Sequence, residues 1–225
     1  MKRASQLFSA EDRRIVEAAI AEAERRTAGE IVPVVATASG RYDRGEDLFG
    51  LVLALTTIAG AWGLFQGVEV VQTEWAAKYT VALGLLPVLG VLVVVFLLGA
   101  VAATYLPVLR LPFISRNEME EEVERSATAA FQRFRIRGAA GSGILVYVSL
   151  YERTVRVLGD DAVNAKVTQS DWNAVCDLVT EGLRNGRAAE GLASAIRKAG
   201  ELLCRHFPAR PEDRNDLANE LRFID

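Results

Sequence analysis

Two long apolar stretches interrupt a sequence in which charged residues are otherwise frequent. The first is Leu48–Val68 and the second is Tyr79–Leu109, and neither contains a charged residue. An α-helix needs about 20 apolar residues to cross the hydrocarbon core of a bilayer, so each stretch is long enough to span it. The polar segment Glu69–Lys78 between them is too short for a folded domain. The pattern therefore predicts a transmembrane hairpin, with spans at about 48–68 and 81–106.

The hairpin divides the chain into four segments. We expect residues 1–47 and 111–208 to form one domain around the membrane segment 48–110, followed by a polar tail at 209–225. The first segment supplies only one helix and one strand, which cannot bury enough apolar surface to fold alone. The alternative is that both stretches are buried helices of a soluble protein. Uncharged runs of this length are rare in a domain this small, which favours the hairpin.

Outside the hairpin, the apolar spacing predicts alternating helices and strands. A helix begins after Ser9, and Glu30–Ala36 is a strand in which Pro33 suggests an edge or a bulge. A second helix begins after Ser115. Two β-rich segments joined by three residues then predict a β-hairpin, whose first strand is almost entirely apolar and should be covered on both faces. These segments are Ile144–Leu150 and Thr154–Leu158, and the helices Asp171–Arg184 and Ala188–His206 follow them, with Ser170 as the expected N-cap of the first.

The distribution of arginines predicts the orientation of the hairpin. No apolar leader precedes the first helix, and arginines flank the outer ends of both stretches, whereas the short loop carries two glutamates and a single lysine. By the positive-inside rule, both soluble segments lie in the cytoplasm and the chain is a multi-pass protein of the plasma membrane. We expect a set of basic and aromatic residues to anchor the hairpin in the lipid bilayer: Arg44, Trp62, Trp75, Arg110 and Arg116.

Composition excludes several classes of function. The net charge is −3, from 26 basic and 29 acidic residues, so the clustered basic excess of a nucleic-acid-binding protein is missing. Two cysteines and one histidine, with no CxxC motif, provide too few ligands for a zinc site. The glycine-rich segment Gly138–Gly143 lacks the P-loop lysine, and Ser142 has only His206 as a conceivable base, which argues against a Ser-His-Asp hydrolase.

Acidic residues near the predicted strand ends form the most interesting constellation. Glu30 begins the first strand, Asp160 and Asp161 follow the third, and Asp171 begins the next helix. Strand ends in layered α/β domains are common ligand sites, and converging carboxylates would suit Ca²⁺ or Mg²⁺. The alternative is that these residues only cap helices and form turns.

Three arginines beside the glycine-rich segment form a second candidate site. Arg133, Arg135 and Arg137 could hold a phosphate group or a lipid headgroup, or could simply be solvated or membrane-facing charges.

The order of these elements resembles the TPM domain family, and within it the bacterial membrane proteins whose domain is interrupted by a two-span hairpin. The resemblance covers nearly the whole chain. It rests on Gly29–Val32, Ser142–Ser149, the turn Glu152-Arg153, Val155–Asp160 and the Phe207-Pro208 pair, together with Trp172, Gly186 and Gly191-Leu192. It implies an α/β fold in which a small mixed sheet is sandwiched by helices.

The resemblance also implies a range of functions. The family is linked to acid phosphatase activity, to divalent-cation binding and to receptor modulation. Its acidic positions map here onto Glu30, Asp160 and Asp171, although Asp160-Asp161-Ala162 replaces the usual acid, spacer and glycine. Three functions stay open: an accessory or scaffold protein that binds another membrane or cytoplasmic protein, a cation-dependent phosphatase, and a cation-binding regulatory module without turnover.

Overall fold

A computed structural model describes residues 3–65, 85–134, 142–209 and 217–225. The described chain divides into two units, one built from residues 1–40 and 116–225 and the other from residues 41–115. The elements in chain order are α1 (Ala4–Leu7), α2 (Ala10–Glu24), β1 (Ile31–Ala36), α3 (Asp43–Phe65), α4 (Leu85–Tyr105), α5 (Arg116–Arg133), β2 (Ile144–Ser149), β3 (Thr154–Gly159), α6 (Asp161–Asn164), α7 (Gln169–Arg184), α8 (Ala188–His206) and β4 (Arg222–Ile224).

The first unit contains a mixed four-stranded sheet of order β3-β2-β1-β4. β1 runs parallel to β2, with Ile31 opposite Ile144, and parallel to β4, with Val34 opposite Arg222. β2 and β3 form the antiparallel hairpin that their sequence pattern predicts. The α/β fold with a small mixed sheet is therefore confirmed.

Helices cover both faces of this sheet. Side chains alternate between the faces with the period of two that a strand imposes, so Val146 points to one core and Leu145 to the other. The larger core contains residues of α1, α2, α7 and α8, whereas α5 supplies the helical part of the smaller one. Burial on both faces explains why every residue of β1 and β2 is buried.

The structure corrects the expectation for Pro33. The polar tail contributes the strand β4, and β1 therefore lies inside the sheet. Pro33 is tolerated there because β4 pairs only with Val34–Ala36. No residue of β4 pairs with Pro33. The N–H that proline lacks is therefore not needed for a hydrogen bond between β1 and β4.

The second unit is a pair of long apolar helices, α3 and α4. Both are long and apolar enough to cross a membrane, and their apolar side chains are mostly exposed, as in Leu64 and Leu86. This exposure disfavours the alternative of buried helices in a soluble protein. The helices approach closely at two glycines, because a Cβ atom added to Gly99 would lie 2.9 Å from the Cα of Gly50. The proposed loop between the spans lies outside the described residues.

Candidate functional site

The carboxyl ends of the three parallel strands meet at one edge of the sheet. β1 ends at Ala36, β2 at Ser149 and β4 at Ile224. Such an edge is where ligands commonly bind in α/β folds. The polar residues that follow these strands are therefore the first place to look for a site.

A buried carboxylate organises this edge. Glu152, in the turn between β2 and β3, is only 9% exposed and points inward. Its Oε1 accepts hydrogen bonds from the backbone N–H groups of Ser39 (2.8 Å) and Gly40 (3.2 Å). Its Oε2 accepts from the hydroxyl of Ser149. These charge-assisted bonds fix the β2–β3 turn against the segment through which the chain leaves the sheet.

The hydrogen bonds of Glu152 continue into a network of hydroxyl groups. The Ser39 hydroxyl donates to Ser149 Oγ at 2.8 Å and lies 3.1 Å from the Tyr147 hydroxyl. Ser126 on α5 donates to the backbone oxygen of Ser39 at 2.9 Å. Burial raises the pKa of the Tyr147 phenol, although hydrogen bonds with Ser39 and Ser126 oppose the shift. Tyr147 therefore stays neutral near pH 7 and serves this network as a hydrogen-bonding group.

A second carboxylate at the same edge fastens β4 to the N-terminal segment. Asp225 accepts hydrogen bonds from the backbone N–H and the hydroxyl of Ser5, and from the Thr37 hydroxyl at 3.0 Å. The bonds from Ser5 lower the pKa of Asp225. The hydrogen bonds from Ser5 and Thr37 to Asp225 join three segments that are distant in the sequence, so the Asp225 carboxylate has a structural role.

A cavity of about 470 Å³ opens beside the Glu152 turn. It is lined by Ser149 and Leu150 from the end of β2, Arg153 from the turn, and Thr180, Leu183 and Arg184 from α7. Thr180 donates its hydroxyl proton to the backbone oxygen of Cys176 at 2.9 Å, and Ser149 donates to Glu152. The charged groups on the lining are the guanidinium groups of Arg153 and Arg184, and Leu150 and Leu183 are its apolar part. The cavity therefore suits an anion that also has an apolar part.

At the opposite edge of the sheet, two carboxyl groups share a hydrogen bond. Glu24 ends α2, and Glu30, which is 5% exposed, immediately precedes β1. Burial is the main reason that the pKa of Glu24 rises to about 8; the Ile31 N–H opposes the rise, and the charge of Glu30 adds to it. Glu24 is therefore largely protonated at pH 7 and donates a hydrogen bond to Glu30.

The other predicted metal ligands act as caps or face solvent. Asp160 caps α6, since its Oδ1 accepts from Val163 N at 3.2 Å, and its Oδ2 accepts from Gly143 N at 2.9 Å. Asp161 is exposed at the start of α6. Asp171 forms a capping box with Thr168, which replaces Ser170 as the N-cap of α7, and hydrogen bonds from Thr168 lower the pKa of Asp171.

The structure does not gather these carboxylates into one cation site. β1 and β3 lie on opposite sides of β2, so the backbones at Glu30 and Asp160 are about two strand spacings, or 10 Å, apart. Among the described residues, no group of three His, Cys, Asp or Glu side chains could hold a metal ion. The binding of Ca²⁺ or Mg²⁺ by Glu30, Asp160, Asp161 and Asp171 stays a prediction.

The predicted membrane anchors have different environments. Arg44 and Arg116 are exposed, and Trp62 is 58% exposed on α3. Arg110 instead is mostly buried and pairs with Glu46, whose other oxygen accepts from Thr104 at 2.6 Å. Arg110 also donates to the backbone oxygen of Arg41 at 3.1 Å, so it closes the base of the helix pair. The anchor Trp75 lies outside the described residues.

The basic candidate site is only partly described. Arg133 is exposed at the end of α5, with its guanidinium 5.6 Å from the centre of the Phe134 ring. Arg135 and Arg137 lie outside the described residues. The phosphate or lipid assignment of these arginines stays a prediction.

Sequence reasoning missed Glu24, Glu152 and the arginines of the cavity. The sequence pattern identifies Glu152 and Arg153 only as turn residues. The inward orientation of Glu152 depends on Ser39, which is 113 residues away in the chain. A signal was available for Arg153 in the short turn, because tight hairpin turns need positive φ, and Arg153 has a φ of 52°.

Comparison with known proteins agrees with this architecture. Residues 109–202 match the family model described as the TPM domain. Among solved structures, the chain is similar to the NMR structure of the BA42 protein from the psychrophilic bacterium Bizionia argentinensis. The two chains are 17% identical and superpose with a TM-score of 0.56, over 99% of each chain, which shows a shared fold. No protein among the curated sequences matches the chain.

Proposed function

We propose that this chain is a membrane-anchored accessory protein whose TPM-like domain binds another membrane or cytoplasmic protein. The proposal is supported by the match of residues 109–202 to the TPM domain and by the two long apolar helices. One observation carries this proposal. The hairpin is inserted between β1 and α5, inside a single sheet, because β1 pairs with β2 across the entire insertion. A domain built in this way is held at the bilayer by two chain connections, which suits a protein whose role depends on where its domain is kept.

The insertion also supports the proposed topology. Residues 1–40 and 116–225 form one unit, so both must lie on the same side of a membrane that the hairpin spans. Arginines at both ends of the hairpin favour the cytoplasmic side: Arg41, Arg44, Arg110 and Arg116.

Cysteine labelling tests this topology. In a chain with Cys176→Ala and Cys204→Ala, a membrane-impermeant maleimide added to intact cells should label Gln72→Cys. It should label Ala18→Cys and Ala218→Cys only after the cells are opened. Labelling of the last two variants in intact cells would contradict the cytoplasmic orientation.

The carboxylates favour a binding role over cation-dependent phosphatase chemistry. Asp160 uses both of its oxygens to accept backbone hydrogen bonds, and Asp171 is part of a capping box. Both side chains are thus accounted for by the local fold.

A phosphatase assay tests this distinction. Purified protein in micelles should not hydrolyse p-nitrophenyl phosphate faster when Ca²⁺ or Mg²⁺ is added. The matched variants are Glu30→Ala and Asp160→Ala, with the exposed Asp161→Ala as the control. Cation-dependent turnover that disappears in the first two variants but persists in the control would replace the accessory proposal with the phosphatase.

A further inference from the structure

The arginine-lined cavity beside β2 has the chemistry of an anion site. Among the residues that the structure describes, its lining includes the two guanidinium groups of Arg153 and Arg184 and no carboxylate. Within the described part of the chain, neither guanidinium takes part in an ion pair. Guanidinium groups match the oxygens of a phosphate group in both charge and geometry.

The fold holds Arg153 in place at a conformational cost. Its φ of 52° is in the left-handed region, which glycine adopts far more readily. The neighbouring Glu152 fixes this turn through its bonds to Ser39, Gly40 and Ser149. The turn therefore holds the backbone of Arg153 beside the cavity, and the side chain of Arg153 contributes to the cavity lining.

The cavity lining also includes apolar surface. Leu150 and Leu183 contribute to the same wall as the arginines. A bare inorganic ion would leave this surface unused, whereas a phosphate group attached to an apolar body would contact both parts.

The segment that Glu152 binds is close in the sequence to the apolar stretch. Gly40, which donates its N–H to Glu152, is three residues before α3 begins at Asp43. The apolar stretch starts at Leu48, five helical residues later. Even with an extended connection, this path is no longer than about 20 Å. The inference rests on the proposed function here, because it requires that the hairpin is in the membrane.

We propose that this cavity binds the anionic phosphate headgroup of a membrane lipid. The two arginines contact the phosphate oxygens, and Leu150 and Leu183 contact the adjoining glycerol and upper acyl carbons. Basic pockets close to a cytoplasmic membrane surface bind lipid headgroups in this way. A soluble phosphomonoester offers the same oxygens, so the test must distinguish the two sources.

The test compares the full chain in nanodiscs of phosphatidylcholine alone and with added phosphatidic acid. The readouts are the melting temperature of the domain and the number of phosphatidic acid molecules retained on release, counted by native mass spectrometry. Arg153→Gly removes the guanidinium and suits the left-handed backbone, so it should fold. Arg184→Gln is the second variant. Arg26→Gln is the matched control, since Arg26 is an exposed arginine near the opposite edge of the sheet.

We expect phosphatidic acid to raise the melting temperature of the wild type and of Arg26→Gln, because a ligand that binds only the folded state stabilises it. Both cavity variants should lose this rise and retain severalfold less phosphatidic acid. An equal rise in all four proteins would overturn the proposal, since it would reflect general surface charge. A rise with glycerol 3-phosphate in phosphatidylcholine discs, and none with phosphatidic acid, would overturn the lipid source. A chain that does not integrate into the discs would instead refute the hairpin, and both proposals with it.

Discussion

Glu24 donates a side-chain hydrogen bond to Glu30, and this carboxyl pair joins the end of α2 to the start of β1. The Oε1 atom of Glu24 also accepts from the Ile31 backbone N–H at 2.9 Å. A pair of this kind requires that one member keeps its proton, which the raised pKa of Glu24 provides.

The stability of the domain should consequently depend on pH through Glu24. Its pKa is about 8 in the folded domain, against an ordinary value of 4.5. Between these values the unfolded chain has released the proton and the folded domain has kept it, so the free energy of unfolding falls as the pH rises. Glu24→Gln preserves the hydrogen bonds without the proton release, and should raise the melting temperature more at pH 8 than at pH 5.

The control for this prediction is Glu22→Gln, two residues earlier on the exposed face of α2. Glu22 pairs with Arg197 on α8 at 3.5 Å. Its replacement should shift the melting temperature by a similar, small amount at both pH values. A Glu24→Gln effect that is equally large at pH 5 and pH 8 would contradict the assigned protonation of the pair.

Gly182→Ala should disrupt the contact between α7 and α8. A Cβ atom at Gly182 would lie 2.5 Å from the Cα of Gly191 and 2.9 Å from the backbone oxygen of Arg187. Since these neighbours are backbone atoms, the helices must move apart, which should cost about 1–3 kcal/mol or more. Gly186→Asn is a suitable comparison, because Gly186 has open space and a φ of 70°, which asparagine tolerates. Thermal unfolding of both variants checks the difference, and equal stabilities would refute it.

Gly50→Ala should loosen the helix pair of the second unit. The added methyl group would lie 2.7 Å from the backbone oxygen of Phe96. We expect a loss of about 1–3 kcal/mol, whereas Gly60→Ala, where no atom lies within 4 Å of the added carbon, should be nearly neutral. Unfolding of both variants in micelles measures the contrast. The close approach at Gly50 would be disproved by a neutral Gly50→Ala.

Breaking the pair of Glu46 and Arg110 should destabilise the base of the hairpin. The side chains are only 15% and 12% exposed, so removing one partner leaves a charge that water screens poorly. Glu46→Gln should therefore cost about 1.5–3 kcal/mol, and less when combined with Arg110→Met. A double-mutant cycle measures this coupling. The exposed pair of Glu122 and Arg125 serves as the reference, with an expected coupling below about 1 kcal/mol.

Local sequence patterns predicted most of the fold. The apolar stretches predicted α3 and α4, and the apolar run after Gly143 predicted a central strand covered on both faces. β4 was missed because a strand of three residues in a polar segment has no periodicity to detect. Thr168 and Ser170 are both good N-caps, and only the backbone shows that Thr168 is used.

The site was harder to predict than the fold. Acidic residues at strand ends were a reasonable signal, but Asp160 and Asp171 serve the helices beside them. The Glu152 network combines Ser39, Ser126 and Tyr147 from three elements, so no local spacing reveals it. Likewise, Arg153 and Arg184 line one cavity only because α7 packs beside the turn.

The hydrogen bond from Arg110 to the backbone of Arg41 has a consequence for how the protein is assembled in the cell. It holds the two ends of the 41–115 segment side by side. Without the membrane, β1 would have to find β2 across a long flexible loop, and the entropy of closing a loop increases with its length. On the proposed topology, insertion of the helix pair closes that loop. Insertion of the proposed hairpin should therefore precede and accelerate the pairing of β1 with β2, so that the folding of the sheet depends on the membrane step.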